Sequence, residues 1–223
     1  MPRSRSRLVD RRRRGWRGHR VQVPLAGLTA LGVLVGSWLM AEGARAPEPP
    51  PRPATAKARA AVHGEAHPAL PASRPLRIRI PAIHVEAPLI GLGLAPDGSL
   101  DVPPASDPYL AGWYERGVAP GSTGTAVTVG HLDSATGPAV FYKLGALGRG
   151  DVIEVDREDG RTALFTVESV ALHEGSAFPD AQVYGNSSRP ELRVITCGGA
   201  YSRAAGGYLA NTVVYARLSG VRG

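Results

Sequence analysis

From residue 76 to residue 218 the chain never sustains an apolar repeat of helical period beyond two turns, and that absence decides what it can become. Residues 76–81 instead alternate apolar and basic side chains, as a strand with one wet face does, and residues 83–90 roughly repeat the alternation. Segments of similar character run over 125–129, 152–156, 163–170, 192–196 and 212–218. Pro-Asp-Gly at 96–98, Ala-Pro-Gly-Ser at 119–122, Gly-Arg-Gly-Asp at 148–151 and Glu-Asp-Gly at 158–160 punctuate them as turns. The pattern predicts an all-β domain, closed or sandwiched, with short helical turns near 141–144 and 178–179. Neither Gly91-Leu92-Gly93 nor Gly198-Gly199 is set between a strand and a long amphipathic helix, so no phosphate-binding loop is expected.

The basicity of the chain belongs to one end of it. Nine arginines fall within residues 3–20 against the single acid Asp10, leaving 17 basic and 18 acidic side chains for everything else. Such an arm could hold nucleic acid. The following residues, 21–41, favour another reading: they carry no charge, and only Gln22, Thr29 and Ser37 are polar. About 20 apolar residues span a bilayer core as a helix, and arginines massed before the run place the N-terminus in the cytoplasm. A cleaved signal peptide competes, with Ala44-Arg45-Ala46 as an imitation of a cleavage site, but its apolar region is usually shorter. Residues 46–75 are rich in Pro, Ala and Arg with no apolar period, which is the composition of an extended, disordered spacer. The expected organisation is a basic cytoplasmic arm (1–20), a transmembrane signal anchor (21–42), an extracellular linker (43–75) and a folded domain (76–220) outside the membrane. No nucleic-acid partner is expected on this reading.

Cys197, the only cysteine, closes the apolar run Leu192-Arg193-Val194-Ile195-Thr196 and is followed at once by Gly198-Gly199. It has no partner for a disulfide or a shared metal site. A thiol at a strand end beside two residues without side chains is open to a large substrate, although a lone cysteine can also pack as a small hydrophobe. Upstream, residues 125–130 form a strand that leads into His131, 66 residues before Cys197. A near-neutral imidazole and a thiol are the usual proton carrier and nucleophile of acyl transfer, so the two form a candidate pair. Charge on the scissile carbonyl oxygen then needs a donor. Arg193 shares a strand face with Cys197 by the period of two, and Arg203 is the other candidate. For both, an ordinary solvated arginine is the plain alternative.

Residues 127–134, Val-Thr-Val-Gly-His-Leu-Asp-Ser, resemble the histidine motif of sortases, and 192–199, Leu-Arg-Val-Ile-Thr-Cys-Gly-Gly, resemble their Thr-Leu-x-Thr-Cys motif. The similarity runs over nearly all of 76–218 and is greatest to class F sortases of high-GC Gram-positive bacteria, through 137–142, 178–179, 183–185, 190–193 and 211–216. The resemblance implies a closed eight-stranded β-barrel with short helices. It also implies a membrane-anchored cysteine transpeptidase, a monomer without cofactor or metal. Cys197 would attack a sorting signal like Leu-Pro-x-Thr-Gly (LPxTG) on a partner protein and form a thioester. A peptidoglycan-precursor amine would then take the acyl group, with His131 moving the protons. Thr196, Ile195 and Asn211 would contact substrate. The best-known members carry an activating arginine just before the run corresponding to 212–216, where this chain has Asn211. The resemblance therefore leaves the oxyanion role to Arg193, with Asn211 as a secondary donor.

Rival functions are separable. An L,D-transpeptidase has a histidine close to its cysteine, a papain-like peptidase has cysteine before histidine, and a non-catalytic wall-binding module would bury its thiol. No cluster of acids marks a calcium site.

Overall fold

The computed structural model describes residues 49–53 and 67–223. The expected arm (1–20) and membrane helix (21–42) lie outside the described residues, as does 54–66 of the linker. Among the described residues no helix is long and apolar enough to cross a membrane.

Eight strands close into a barrel: β1 (Pro75–Ile80), β2 (Val85–Leu92), β3 (Ala111–Tyr114), β4 (Gly124–Gly130), β7 (Val152–Arg157), β8 (Thr162–Glu174), β9 (Pro190–Ser202) and β10 (Gly207–Arg222). Around the barrel they run β1-β2-β3-β4-β9-β10-β8-β7, with β7 pairing back onto β1. The small hairpin β5 (Asp133–Ser134) and β6 (Gly137–Pro138) stands apart, after β4, and a short helix α1 (Asp180–Tyr184) precedes β9. Two strand pairs are parallel, β2 with β3 and β4 with β9; the other pairs are antiparallel.

Alternation explains how β1 sits. Ile78 and Ile80 are fully buried inside, while Arg79 between them reaches Glu154 and Asp156 on β7, and Arg77 reaches Glu86 on β2. The interior is filled by Phe141, Phe165, Leu144, Ile153, Leu192 and Val194 among others. β3 is the strand that sequence reasoning missed. It is only four residues long and three of them, Ala111, Gly112 and Trp113, are buried, so no alternation marks it.

The packed body starts ahead of residue 76, where the strand pattern begins. Leu70 is buried in the core and its N–H donates to the Gly121 carbonyl at 2.8 Å. Arg157, whose side chain is wholly inaccessible to solvent, donates to the carbonyls of Pro71 (2.5 Å) and Pro120 (2.6 Å) and pairs with Asp159 (3.0 Å). A guanidinium can be buried this way because its fork meets several acceptors at once. Residues 49–53 also lie on this body, sharing a small crevice with Leu132, Gly145, Gly198 and Thr212. Gly145 is required there, since a Cβ on it would stand 2.1 Å from the Pro51 carbonyl oxygen.

Candidate active site at the β4 and β9 strand ends

The parallel register of β4 and β9 pairs each residue with the one 66 positions later, from Gly124 with Pro190 to Val129 with Ile195. Continued by two residues, past the last pair and the end of β4, the same offset would bring His131 next to Cys197. Adjacent strands lie about 4.8 Å apart, and the residues just before the two are joined directly, Thr196 to the Gly130 carbonyl. Alternation gives both residues the outer face, shared with Val127, Ile195 and Tyr215, while Ala126, Leu192 and Val194 face the core. Cys197 is exposed.

Two buried hydroxyls fasten these strands. Thr128 Oγ1 donates to the Arg193 carbonyl at 3.1 Å, and Thr196 Oγ1 donates to the Gly130 carbonyl at 2.8 Å. The second bridge joins the residue before the imidazole to the residue before the thiol. Gly130 admits no side chain, because a Cβ would fall 2.6 Å from both Val140 and Phe141. On the far side of the nucleophile Gly199 turns the chain with φ of +77°, which favours glycine.

His131 Nε2 is 2.7 Å from the Pro103 carbonyl oxygen. Since a carbonyl only accepts, Nε2 carries the proton and Nδ1 is left to take up or release another. Partial burial and the nearby Asp133 carboxylate push the Cys197 thiol up. Asp133, at the start of β5, also accepts a hydrogen bond from the Tyr208 hydroxyl of β10. Burial first and this contact second push the Tyr208 phenol well above its ordinary value.

The remaining residues singled out in the sequence separate into three places. Asn211 is the direct partner of Cys197 across the β9–β10 ladder, and paired residues share a face, so its amide stands beside the thiol. Ile195 floors the groove on the outer face, in contact with a cluster of Val127, Val183, Val213 and Tyr215. Thr196 points inward and is 1% exposed, so its hydroxyl is spent on the Gly130 bridge and is not available to substrate. Arg193 shares the face of Cys197 but is turned away from it: its guanidinium holds Glu191 at 2.7 Å and lies 4.7 Å above the Tyr215 ring centroid. The strand spacing behind its oxyanion assignment is correct, but an acid two residues upstream draws the charge the other way. Arg203 is exposed, in the turn at the tip of the β9–β10 hairpin.

A cavity of about 570 Å³ continues the outer face upstream of the pair, bordered by Leu94, Leu100, Tyr114, Val127 and Tyr184. Tyr208 and Pro103 were not legible as site residues, because only the folded hairpin and loop bring them there. Asp133, two residues after His131, was visible within the motif. Among the described residues no group of three or more His, Cys, Asp or Glu side chains could hold a metal ion.

Barrel and site together define a β-barrel protein with a thiol and an imidazole on neighbouring strand ends. The sortase domain model matches residues 78–219, and the chain belongs to the sortase family, a family of cysteine transpeptidases. Among solved structures, sortase A from Listeria monocytogenes is 15% identical with a TM-score of 0.51, covering 68% of this chain and 90% of that one. Sortase A from Corynebacterium diphtheriae is 19% identical with a TM-score of 0.51, covering 65% of this chain and 61% of that one. A lid mutant of the latter is 18% identical with a TM-score of 0.50, covering 66% and 70%. At these identities the likeness is one of fold. No curated protein matches the chain.

Proposed function

We propose that this sortase is a class F enzyme, anchored as a monomer by residues 21–42 with its barrel outside the cell. It cleaves a sorting signal of the Leu-Pro-x-Thr-Gly kind and transfers the acyl group to a cell-wall amine. The observation that supports the reading is the β4–β9 register, whose offset of 66 residues, extended past Val129–Ile195, leads His131 toward an exposed Cys197. The apolar cavity upstream of the pair suits the residues that precede the scissile bond.

In the first step Cys197 Sγ attacks the threonine carbonyl carbon while its proton passes to His131 Nδ1. Collapse of the tetrahedral intermediate breaks the C–N bond, and His131 returns the proton to the departing amine. The raised thiol pKa means that the resting nucleophile is the neutral thiol, so proton removal accompanies attack. Asn211, facing Cys197 across the ladder, is the donor placed to meet the oxyanion. Arg193 serves instead to hold Glu191 and Tyr215 under the groove.

The full chain, solubilised in mild detergent, should give a covalent acyl adduct on Cys197 when mixed with a Leu-Pro-x-Thr-Gly peptide, read by mass spectrometry. Triglycine should convert the adduct into a ligated product. Absence of the adduct, or its persistence in Cys197→Ala, refutes the reading.

A further inference from the structure

The charge beside Cys197 has the wrong sign for activating a thiol. Burial first and the Asp133 carboxylate second push the thiol pKa up, whereas a nucleophile gains from a neighbouring cation. Yet the carboxylate is built in place. It stands on the β5–β6 hairpin, closed by the Ala139 N–H donating to the Leu132 carbonyl at 3.0 Å and by the Ser134 hydroxyl donating to the Gly137 carbonyl at 3.2 Å. From β10 the Tyr208 hydroxyl donates to it, and Tyr208 is itself braced edge-on by Tyr201, with ring centroids 5.3 Å apart. Two hairpins, β5–β6 and β9–β10, therefore meet at one exposed carboxylate two residues after His131.

A negative group at that point is useful once the thiol has been acylated. The thioester carries no charge, and the reactant still to arrive is a primary amine, which at neutral pH is a cation. Building on the transpeptidase reading above, we propose that Asp133, held by Tyr208, is the binding group for the incoming alkylammonium and sets the balance between transfer and hydrolysis. The ammonium docks on the carboxylate and loses one proton to solvent, which frees the nitrogen lone pair. As that pair forms the C–N bond, the nitrogen gives its second proton to His131 Nδ1; the C–S bond breaks, and the sulfur leaves with its electron pair and takes that proton from His131. Atoms and charge balance as thioester plus ammonium giving amide, thiol and one released proton. Because the Asp133 carboxylate repels a second anion, the site favours an amine that has no free carboxylate beside it, as on an amidated peptide. Water, being uncharged, gains nothing from Asp133.

The test compares the full-length wild type with Asp133→Asn, Asp133→Glu and Tyr208→Phe, using a Leu-Pro-x-Thr-Gly peptide and two nucleophiles. One is cationic, triglycine amide; the other is neutral, hydroxylamine. Losing one charge near a second at an exposed site should raise the KM for triglycine amide about five- to tenfold in Asp133→Asn and shift product toward hydrolysis. Acyl-enzyme formation in Asp133→Asn should be no slower than in wild type, because the lost carboxylate is one cause of the raised thiol pKa, and the reaction with hydroxylamine should stay within about twofold. Asp133→Glu should restore the preference for the cation, and Tyr208→Phe, which keeps the charge, should retain it. Equal losses with both nucleophiles, or an unchanged partition in Asp133→Asn, would overturn the proposal while leaving the transpeptidase reading intact. Failure of the wild type to acylate Cys197 at all would remove both.

Discussion

Thr196→Val asks whether a single buried hydroxyl aligns the catalytic strands. The substitution keeps the shape of the side chain and its 1% exposure and deletes the 2.8 Å bond to the Gly130 carbonyl. A buried hydrogen bond lost without a cavity costs about 1–2 kcal/mol. For a domain of this size that lowers Tm by about 2–8 °C. The larger effect should be kinetic. Gly130 immediately precedes His131 and Thr196 immediately precedes Cys197, so freeing this bridge lets the two reacting groups shift against each other, and small misplacements cost about 10- to 100-fold in rate. Thr196→Ser, which keeps the hydroxyl, is the control and should acylate within about threefold of wild type. Single-turnover acylation by a fluorogenic sorting peptide, run alongside thermal melting, measures both quantities. If Thr196→Val acylates at the wild-type rate, or if Thr196→Ser is equally slow, the bridge does not position the pair.

Other consequences are equally accessible. Because the Cys197 pKa is raised, the thiolate fraction at any given pH is smaller than for a free cysteine, so iodoacetamide alkylation should rise through a midpoint above the ordinary value of about 8.5. A midpoint below that value contradicts the environment described. Arg157→Ala strands two buried carbonyls and the Asp159 carboxylate and should cost about 3–5 kcal/mol, seen as a lower urea midpoint with unchanged slope. Asn211→Ala should lower the acylation rate at least tenfold with little change in peptide KM, and a pure KM effect would instead make it a binding residue.

The strands with one wet face were legible, because Arg77 and Arg79 alternate with Ile78 and Ile80 in a way no helix would. β3 was not, since Ala111, Gly112 and Trp113 are buried together and leave no periodic trace. The β9–β10 hairpin runs well past the apolar segments that announced it, through Gly- and Ala-rich residues whose pairing comes from the ladder and not from side chains. At the site, His131 and Cys197 could be marked individually as strand-end residues, and their spacing of 66 turns out to be the register itself. The roles of Arg193 and Thr196 were harder to read. Each depends on which neighbour captures the side chain, Glu191 for one and the Gly130 carbonyl for the other, and such captures are decided in three dimensions.

With Cys197 on β9 and His131 one residue beyond the end of the neighbouring β4, almost no loop separates the reactive groups from the closed barrel wall. With the Thr196 bridge intact, warming has little to loosen between imidazole and sulfur short of opening the barrel wall, so in the wild type inactivation and calorimetric melting should superimpose. An enzyme assembled from mobile loops would instead fade well before it melts.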